Sequence, residues 1–180
     1  MAINNSLNTF KAAFKGGTRA NRFKVIPSFP TGINNANFAQ TKSAYTISSA
    51  ALPKADVGVI GVPYRGRMAY FAGDRQYSVW PIKVYDDGDK VLWKAFQQWK
   101  ELLDGHQTHK LTNNDFGYKN LQTNFFIQQL QANGQIYREI KLFRCWPSEV
   151  GGINFDMGSS EFVTFDVTLT FDHLEILTGI

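Results

Sequence analysis

His106 and His109 stand in one polar stretch, close enough for two imidazoles to share a metal ion, and His173 follows Asp172. A zinc site needs three or four convergent ligands, and no third histidine or cysteine lies nearby, so these residues read as solvated loop histidines. Cys145 is the single cysteine. It has no adjacent base or helix N-terminus to lower its pKa, so it reads as a buried structural thiol, and it cannot form an internal disulfide. Asp86, Asp87 and Asp89 offer oxygen donors, but the spaced ligands and closing glutamate of an EF-hand are missing, and a helix cap accounts for them. Gly58-Val59-Ile60-Gly61 and Gly16-Gly17-Thr18 lack the lysine and the strand–glycine–helix setting of a phosphate loop. Ser159-Ser160-Glu161 has no histidine that the sequence places beside it. These residues call for no metal and no cofactor, and they argue for no enzyme.

The rest of the composition narrows the class. The chain has 180 residues, 43% hydrophobic and 14% aromatic, enough for one sizeable core, so a single domain with arms is expected over 1–180. A charged fraction of 19% is too low for a disordered chain. No apolar run approaches the roughly 20 residues of a membrane span, and the Asn-rich start has no apolar signal region. Nineteen basic residues against fifteen acidic ones give +4, but the sum hides an asymmetry. Residues 1–55 carry Lys11, Lys15, Arg19, Arg22, Lys24, Lys42 and Lys54 with no acid, whereas Glu149, Asp156, Glu161, Asp166, Asp172 and Glu175 follow Arg144 with no further Lys or Arg. Either the two ends pack together within one subunit, or the basic end of one copy meets the acidic end of another. A phosphate-binding arm fits less well, because the positive residues are interleaved with Phe10, Phe14 and Phe23. Stacking of the aromatic residues on single-stranded nucleic acid fits less well than core packing, since most of them lie on apolar faces.

The elements follow from periodicity. Asn5 or Ser6 can cap a short helix burying Leu7, Phe10 and Phe14, which Gly16-Gly17 ends; with the basic residues after it, it forms an N-terminal arm over about 1–22. Phe23–Ile26 reads as a strand stopped by Pro27, residues 28–37 as loop, and Ala44–Ala51 as a strand. An extended arm or hairpin is expected over about 52–73: Gly61, Pro63 and Gly66 make Val59–Phe71 an irregular ribbon rather than a central strand. Gly73-Asp74 reads as a turn before a strand over Gln76–Tyr85. Leu92, Phe96, Trp99 and Leu103 form one apolar stripe of a helix that Gly105 ends. Polar residues from His106 to Asn120 read as loop. Thr123–Gln131 and Gln135–Cys145 make a hairpin across Ala132-Asn133-Gly134. Trp146-Pro147 reads as a strand break. In the last strand, Val163, Phe165, Val167, Leu169 and Phe171 alternate with Thr164, Asp166, Thr168, Thr170 and Asp172. The sum is a mainly β, antiparallel protein with one packed helix and a short N-terminal one.

Six segments in register over about residues 7 to 175 together resemble the tail tube proteins of contractile-tailed (myovirus) bacteriophages. They are Ala20-Asn21-Arg22-Phe23-Lys24-Val25 after the short helix; Ala51-Leu52-Pro53 with the Val59-to-Tyr70 arm; and Ala72-Gly73-Asp74-Arg75 leading to Trp80. The others are the Asp turn with Phe96 and Trp99, Trp146-Pro147-Ser148-Glu149-Val150-Gly151, and Thr164 to Asp172. The resemblance implies an antiparallel β-sandwich or barrel of the tail-tube fold with a flanking helix. It also implies hexameric rings stacked as the virion's inner tail tube, a conduit for DNA ejection, assembled in the host cytoplasm. Partners would be further copies of the chain, the sheath protein, the baseplate initiator, the tail terminator, the tape measure protein and, transiently, double-stranded DNA, with no membrane anchoring. Baseplate tube initiators and the tube subunits of phage-like injection and type VI secretion systems share the fold and form the alternative, with a nucleic-acid-binding β-barrel behind them.

Three surfaces are then candidates. The polar face of the last strand, Thr164, Asp166, Thr168 and Thr170, would line the channel, since hydroxyls and carboxylates give phosphates no counter-charge; it reads equally as an outer solvated face. Arg65, Arg67 and Arg75 on the extended arm would reach a neighbouring subunit or ring. Lys11, Lys15, Arg19 and Arg22 would contact an adjacent subunit.

Overall fold

Alternating apolar residues lay down the body of the protein, seen in a computed structural model that describes residues 7–14, 17–104, 120–153, 155–158 and 160–178. Strand β5 (Trp80–Tyr85) alternates buried Trp80, Ile82 and Val84 with exposed Pro81, Lys83 and Tyr85. Strand β8 (Thr164–Thr170) pairs with it antiparallel and buries Phe165, Val167 and Leu169 on the same side. Strands β6 (Thr123–Leu130) and β7 (Ile136–Val150) form the expected hairpin, in which Gly134 takes φ 83 and the Gln131 N–H donates to the Gln135 carbonyl at 2.8 Å.

The sheet order is β1 (Phe23–Pro27), β6, β7, β8, β5, β2 (Ile47–Ala50), with β9 (His173–Thr178) also paired to β7. All of these pairings are antiparallel. Strand β7 belongs to two sheets: its first part pairs with β6 and β9, and Trp146–Val150 pairs with β8. The switch falls beside Arg144, whose φ of 53 turns the chain. Among the described residues, β1 and β2 end the order without pairing, so the sheet is open and shows no closed barrel.

Helix α3 (Val91–Leu103) covers this core with Leu92, Ala95, Phe96 and Trp99. Trp99 and Phe125 stack at 6.2 Å between ring centroids, and Phe29 meets Phe96 and Trp99 edge-on at 5.4 and 5.7 Å. The Trp99 indole N–H donates to the Leu121 carbonyl at 2.8 Å, so its polar handle is satisfied. The aspartates before α3 do more than cap it. Asp87 Oδ1 accepts the Val91 N–H at 3.1 Å, and Lys42 Nζ is 2.6 Å from both Asp87 and Asp89 carboxylates, tying α3 to α2 (Ala36–Thr46).

Several expectations are corrected. Two helices flank the sheets, not one, because α2 occupies residues expected as loop and strand; it buries only Ala39 and Ser43, small residues that leave no apolar stripe in the sequence. The arm is a two-stranded ribbon of β3 (Ala55–Tyr64) and β4 (Arg67–Tyr77), a hairpin as expected but set a few residues later than 52–73. Gly73-Asp74 lies within β4 rather than in a turn, and the expected Gln76–Tyr85 strand is divided between β4 and β5. Trp146-Pro147 does not end β7, because a bulge between Pro147 and Glu149 absorbs the proline. Strand β9 lies beyond the last expected strand. Helix α1 (Leu7–Phe14) is present, but Leu7, Phe10 and Phe14 are exposed rather than buried. Gly16, Gly105, His106, His109, Ser159 and the 106–119 loop lie outside the described residues.

Candidate functional site

Three surfaces stand apart from the core. The first is the outer face of the β5–β8 pair. Register places Asp166 opposite Lys83, Thr168 opposite Pro81 and Thr164 opposite Tyr85. From the other side, Thr168 faces Glu149 and Thr170 faces Trp146 on β7, and Ser49 on β2 faces Lys83. Thr164, Asp166, Thr168 and Thr170 therefore do share one face, a polar one on which the Lys83 charge is matched by Asp166 and Glu149 adds a negative one. Lys83 belongs to this face and was missed; its alternation with Ile82 and Val84 was the available signal.

The second surface is the β3–β4 ribbon, which forms a sheet of its own. Tyr64 pairs with Arg67 across a two-residue turn, Arg65-Gly66, with φ 45 and 79. Positive φ at both positions is the turn whose twist matches a hairpin, ordinarily made by Asn-Gly. At the root, a bulge between Val57 and Val59 sets Gly58 against Gly73: a Cβ on Gly73 would lie 3.2 Å from Gly58 backbone atoms. Register puts Val59, Pro63, Met68 and Tyr70 on one face and Ile60, Val62, Tyr64 and Phe71 on the other, and all are exposed, Val59 and Tyr70 at 71%. Both faces are thus apolar and uncovered, which solitary soluble proteins avoid. Arg65 and Arg67 come together at the tip, with the Arg65 guanidinium 5.3 Å from the Tyr64 ring centre, whereas Arg75 sits near the root opposite Val57.

The third is the N-terminal arm. Phe10 and Phe14 stack on each other at 5.3 Å on the exposed α1, which also carries Lys11. Arg19 is exposed, and the Arg22 carbonyl accepts the Leu130 N–H at 2.9 Å, joining the arm to β6. Lys15 lies outside the described residues. A further apolar group went unrecognised in the sequence: Phe155, Met157 and Phe162 are exposed on the loop before β8, and their placement in a glycine-rich segment was the only signal.

The titratable groups point to structure. Burial pushes the Cys145 thiol up to about 12, so it is no nucleophile at neutral pH. Lys42 is raised by its bonds to Asp87 and Asp89, and Asp89 is lowered by Lys42. Among the described residues no cluster of three or more His, Cys, Asp or Glu is placed to hold a metal, and no helix is long and apolar enough to cross a membrane.

The phage tail tube protein family model matches residues 11–176. The chain belongs to that family. Tail tube protein gp19 of Enterobacteria phage T4 is 28% identical over 167 residues, covering 91% of this chain and 95% of that one. A chain in the cryo-EM structure of the anti-feeding prophage baseplate shares the fold at a TM-score of 0.66 and 15% identity, covering 89% of this chain and 95% of its own. So does one in the extended sheath–tube complex of an extracellular contractile injection system, named PVC, at 0.60 and 14%, covering 97% and 100%. At these identities the two structures speak for the fold alone. As a tail tube family member, the chain is a structural, tube-forming subunit and not an enzyme.

Proposed function

We propose that this tail tube subunit polymerises as hexameric rings stacked into the inner tube of a contractile-tailed phage, the conduit through which double-stranded DNA leaves the virion. The observation that carries this reading is the ribbon, apolar on both faces and uncovered by any of the described residues. A two-stranded hairpin is at best marginally stable alone in water, so this one is completed by neighbouring copies. Open ends of the sheet at β1 and β2 ask for the same completion, because unpaired strand edges template further pairing. Contacts between different patches of identical subunits generate rings and stacked filaments.

In this assembly Arg65, Arg67 and Arg75 work at contacts between subunits or rings, and Lys11, Lys15, Arg19 and Arg22 at an adjacent subunit. Thr164, Asp166, Thr168 and Thr170 line the channel. With Lys83 matched by Asp166, that face offers phosphates no net attraction, and a conduit must release its cargo. The sheath, the baseplate initiator, the tail terminator and the tape measure protein are the partners, and assembly takes place in the host cytoplasm before incorporation into the virion.

Negative-stain microscopy of the purified chain tests the proposal: hollow rings or tubes of uniform width are expected, and stable monomers at high concentration overturn it. A second reading, a baseplate tube initiator or injection-system tube subunit, is favoured by the fold shared with a chain of the anti-feeding prophage baseplate. An initiator would stop at single rings, whereas a tube subunit extends them.

A further inference from the structure

Three pairs in this chain set glycine after an aspartate or asparagine, the order in which a backbone nitrogen is least hindered in attacking the side chain before it: Asp87-Gly88, Asp104-Gly105 and Asn133-Gly134. Gly105 lies outside the described residues. Asp87 is committed elsewhere, since Oδ1 accepts the Val91 N–H at 3.1 Å and Oδ2 holds Lys42 at 2.6 Å. Its carboxylate charge also repels a nucleophile. Asn133 is the one amide among them, and it stands exposed at the tip of the β6–β7 turn. The space beside Gly134 is open: a Cβ built there would meet no described atom within 4 Å.

The chemistry of this pair needs only water and hydroxide. The Gly134 nitrogen gives its proton to hydroxide and bonds to Asn133 Cγ. The Cγ–Nδ2 bond then breaks, and that nitrogen takes a proton from water and leaves as ammonia. Water opens the resulting succinimide at either carbonyl, giving aspartate or isoaspartate. Two conditions must hold: a Gly134 N–H free to ionise, and an Asn133 side chain free to swing back onto it. The folded turn denies both. The Gly134 N–H donates to the Gln131 carbonyl at 3.1 Å. Asn133 is bound forward, with Oδ1 accepting the Gln135 N–H at 3.0 Å and Nδ2 donating to Gln135 Oε1 at 2.9 Å. A side chain bonded to the backbone two residues on competes with any other local conformation. These bonds lie in solvent at a loop tip, where local opening needs the least free energy.

We infer that Asn133-Gly134 is a deamidation site gated by the β6–β7 turn, with Gln135 as the residue that keeps it shut. Aspartate at this position would set an acceptor against Gln135 Oε1, and isoaspartate would add a carbon to the backbone of the turn. Either product places a negative charge next to the groove of about 690 Å³ that Gln131 and Ala132 line together with Arg22, the one charged residue of that lining.

Peptide mapping by mass spectrometry of the full chain, aged in mildly alkaline buffer, tests the site. In urea the peptide containing Asn133 should convert to a mixture of aspartate and isoaspartate about tenfold or more faster than in the folded chain. Gln135→Ala, which removes Oε1, should speed the folded chain about threefold or more and leave the rate in urea as it was. Gln135→Glu keeps an acceptor for Nδ2 and should stay at the slow rate. A folded chain that deamidates at Asn133 as fast as the chain in urea overturns the gating, and a chain in urea that forms no isoaspartate there overturns the site itself. A Gln135→Ala chain that is folded by circular dichroism and ages at the unaltered rate overturns the role of Gln135.

Discussion

Two antiparallel pairs in this chain have similar apolar content and opposite fates. In β5–β8, Trp80, Ile82, Val84, Phe165, Val167 and Leu169 are sealed against α3 and the second sheet. In β3–β4, Val59, Ile60, Val62, Tyr64, Tyr70 and Phe71 stand in solvent. The difference lies in the pattern around them. The first pair alternates strictly, so one face can turn inward and the other can stay wet. The second is apolar on both faces, and no element among the described residues covers it. Burial and exposure of apolar side chains are thus written in different periodicities.

Substitutions sharpen this contrast, and the largest effect belongs to the body. Trp99→Ala removes a ring buried against Phe96, Phe125 and Phe29 and should cost about 3–5 kcal/mol in denaturant unfolding. Ile60→Ser with Phe71→Ser, one cross-strand pair of the ribbon, should leave the monomer's unfolding free energy within about 0.5 kcal/mol and abolish polymerisation followed by light scattering. An equal loss of stability in both variants would show that the ribbon belongs to the core. Gly73→Val sets a branched side chain against the Gly58 backbone, so it should slow assembly while leaving the thermal transition of the body in place.

Smaller effects come from titration. The Cys145 thiol is raised to about 12 in the folded chain, so the unfolded chain loses its proton first as pH rises. That stability is complete below the ordinary thiol range and falls as pH climbs through it towards 12, a decline that Cys145→Ala should lack in alkaline melts. The least effect is expected from Lys42→Ala. Asp89 is held below the usual carboxylate range by Lys42, so the pair's contribution is present above that range and fades as acid protonates Asp89; acid melts of the variant should lose that dependence.

Much of the body was legible in the sequence because its signals are strong: the Leu92–Phe96–Trp99 stripe, the Asn133-Gly134 turn and the alternation of β8. Helix α2 was not, since the stripe it buries is Ala39 and Ser43, and periodicity is read from large side chains. Glycine and proline misled where the fold tolerates them in strands, at the Gly58–Gly73 bulge and at Pro147. The polar face of β8 is readable from its alternation, and Lys83 from its own alternation with Ile82 and Val84, but only register shows that Lys83 stands opposite Asp166. The apolar face of α1 reads as buried because sequence pattern does not tell an apolar stripe packed in the core from one left exposed.

Strand β7 carries a mechanical consequence. Its backbone runs unbroken from the β6 and β9 partners, past the turn at Arg144, to the β8 partner. A pull applied to one layer therefore reaches the other along covalent bonds, not only through side chains that can slip. An assembly built from such units would carry strain from one part of each unit to the other through the backbone of β7.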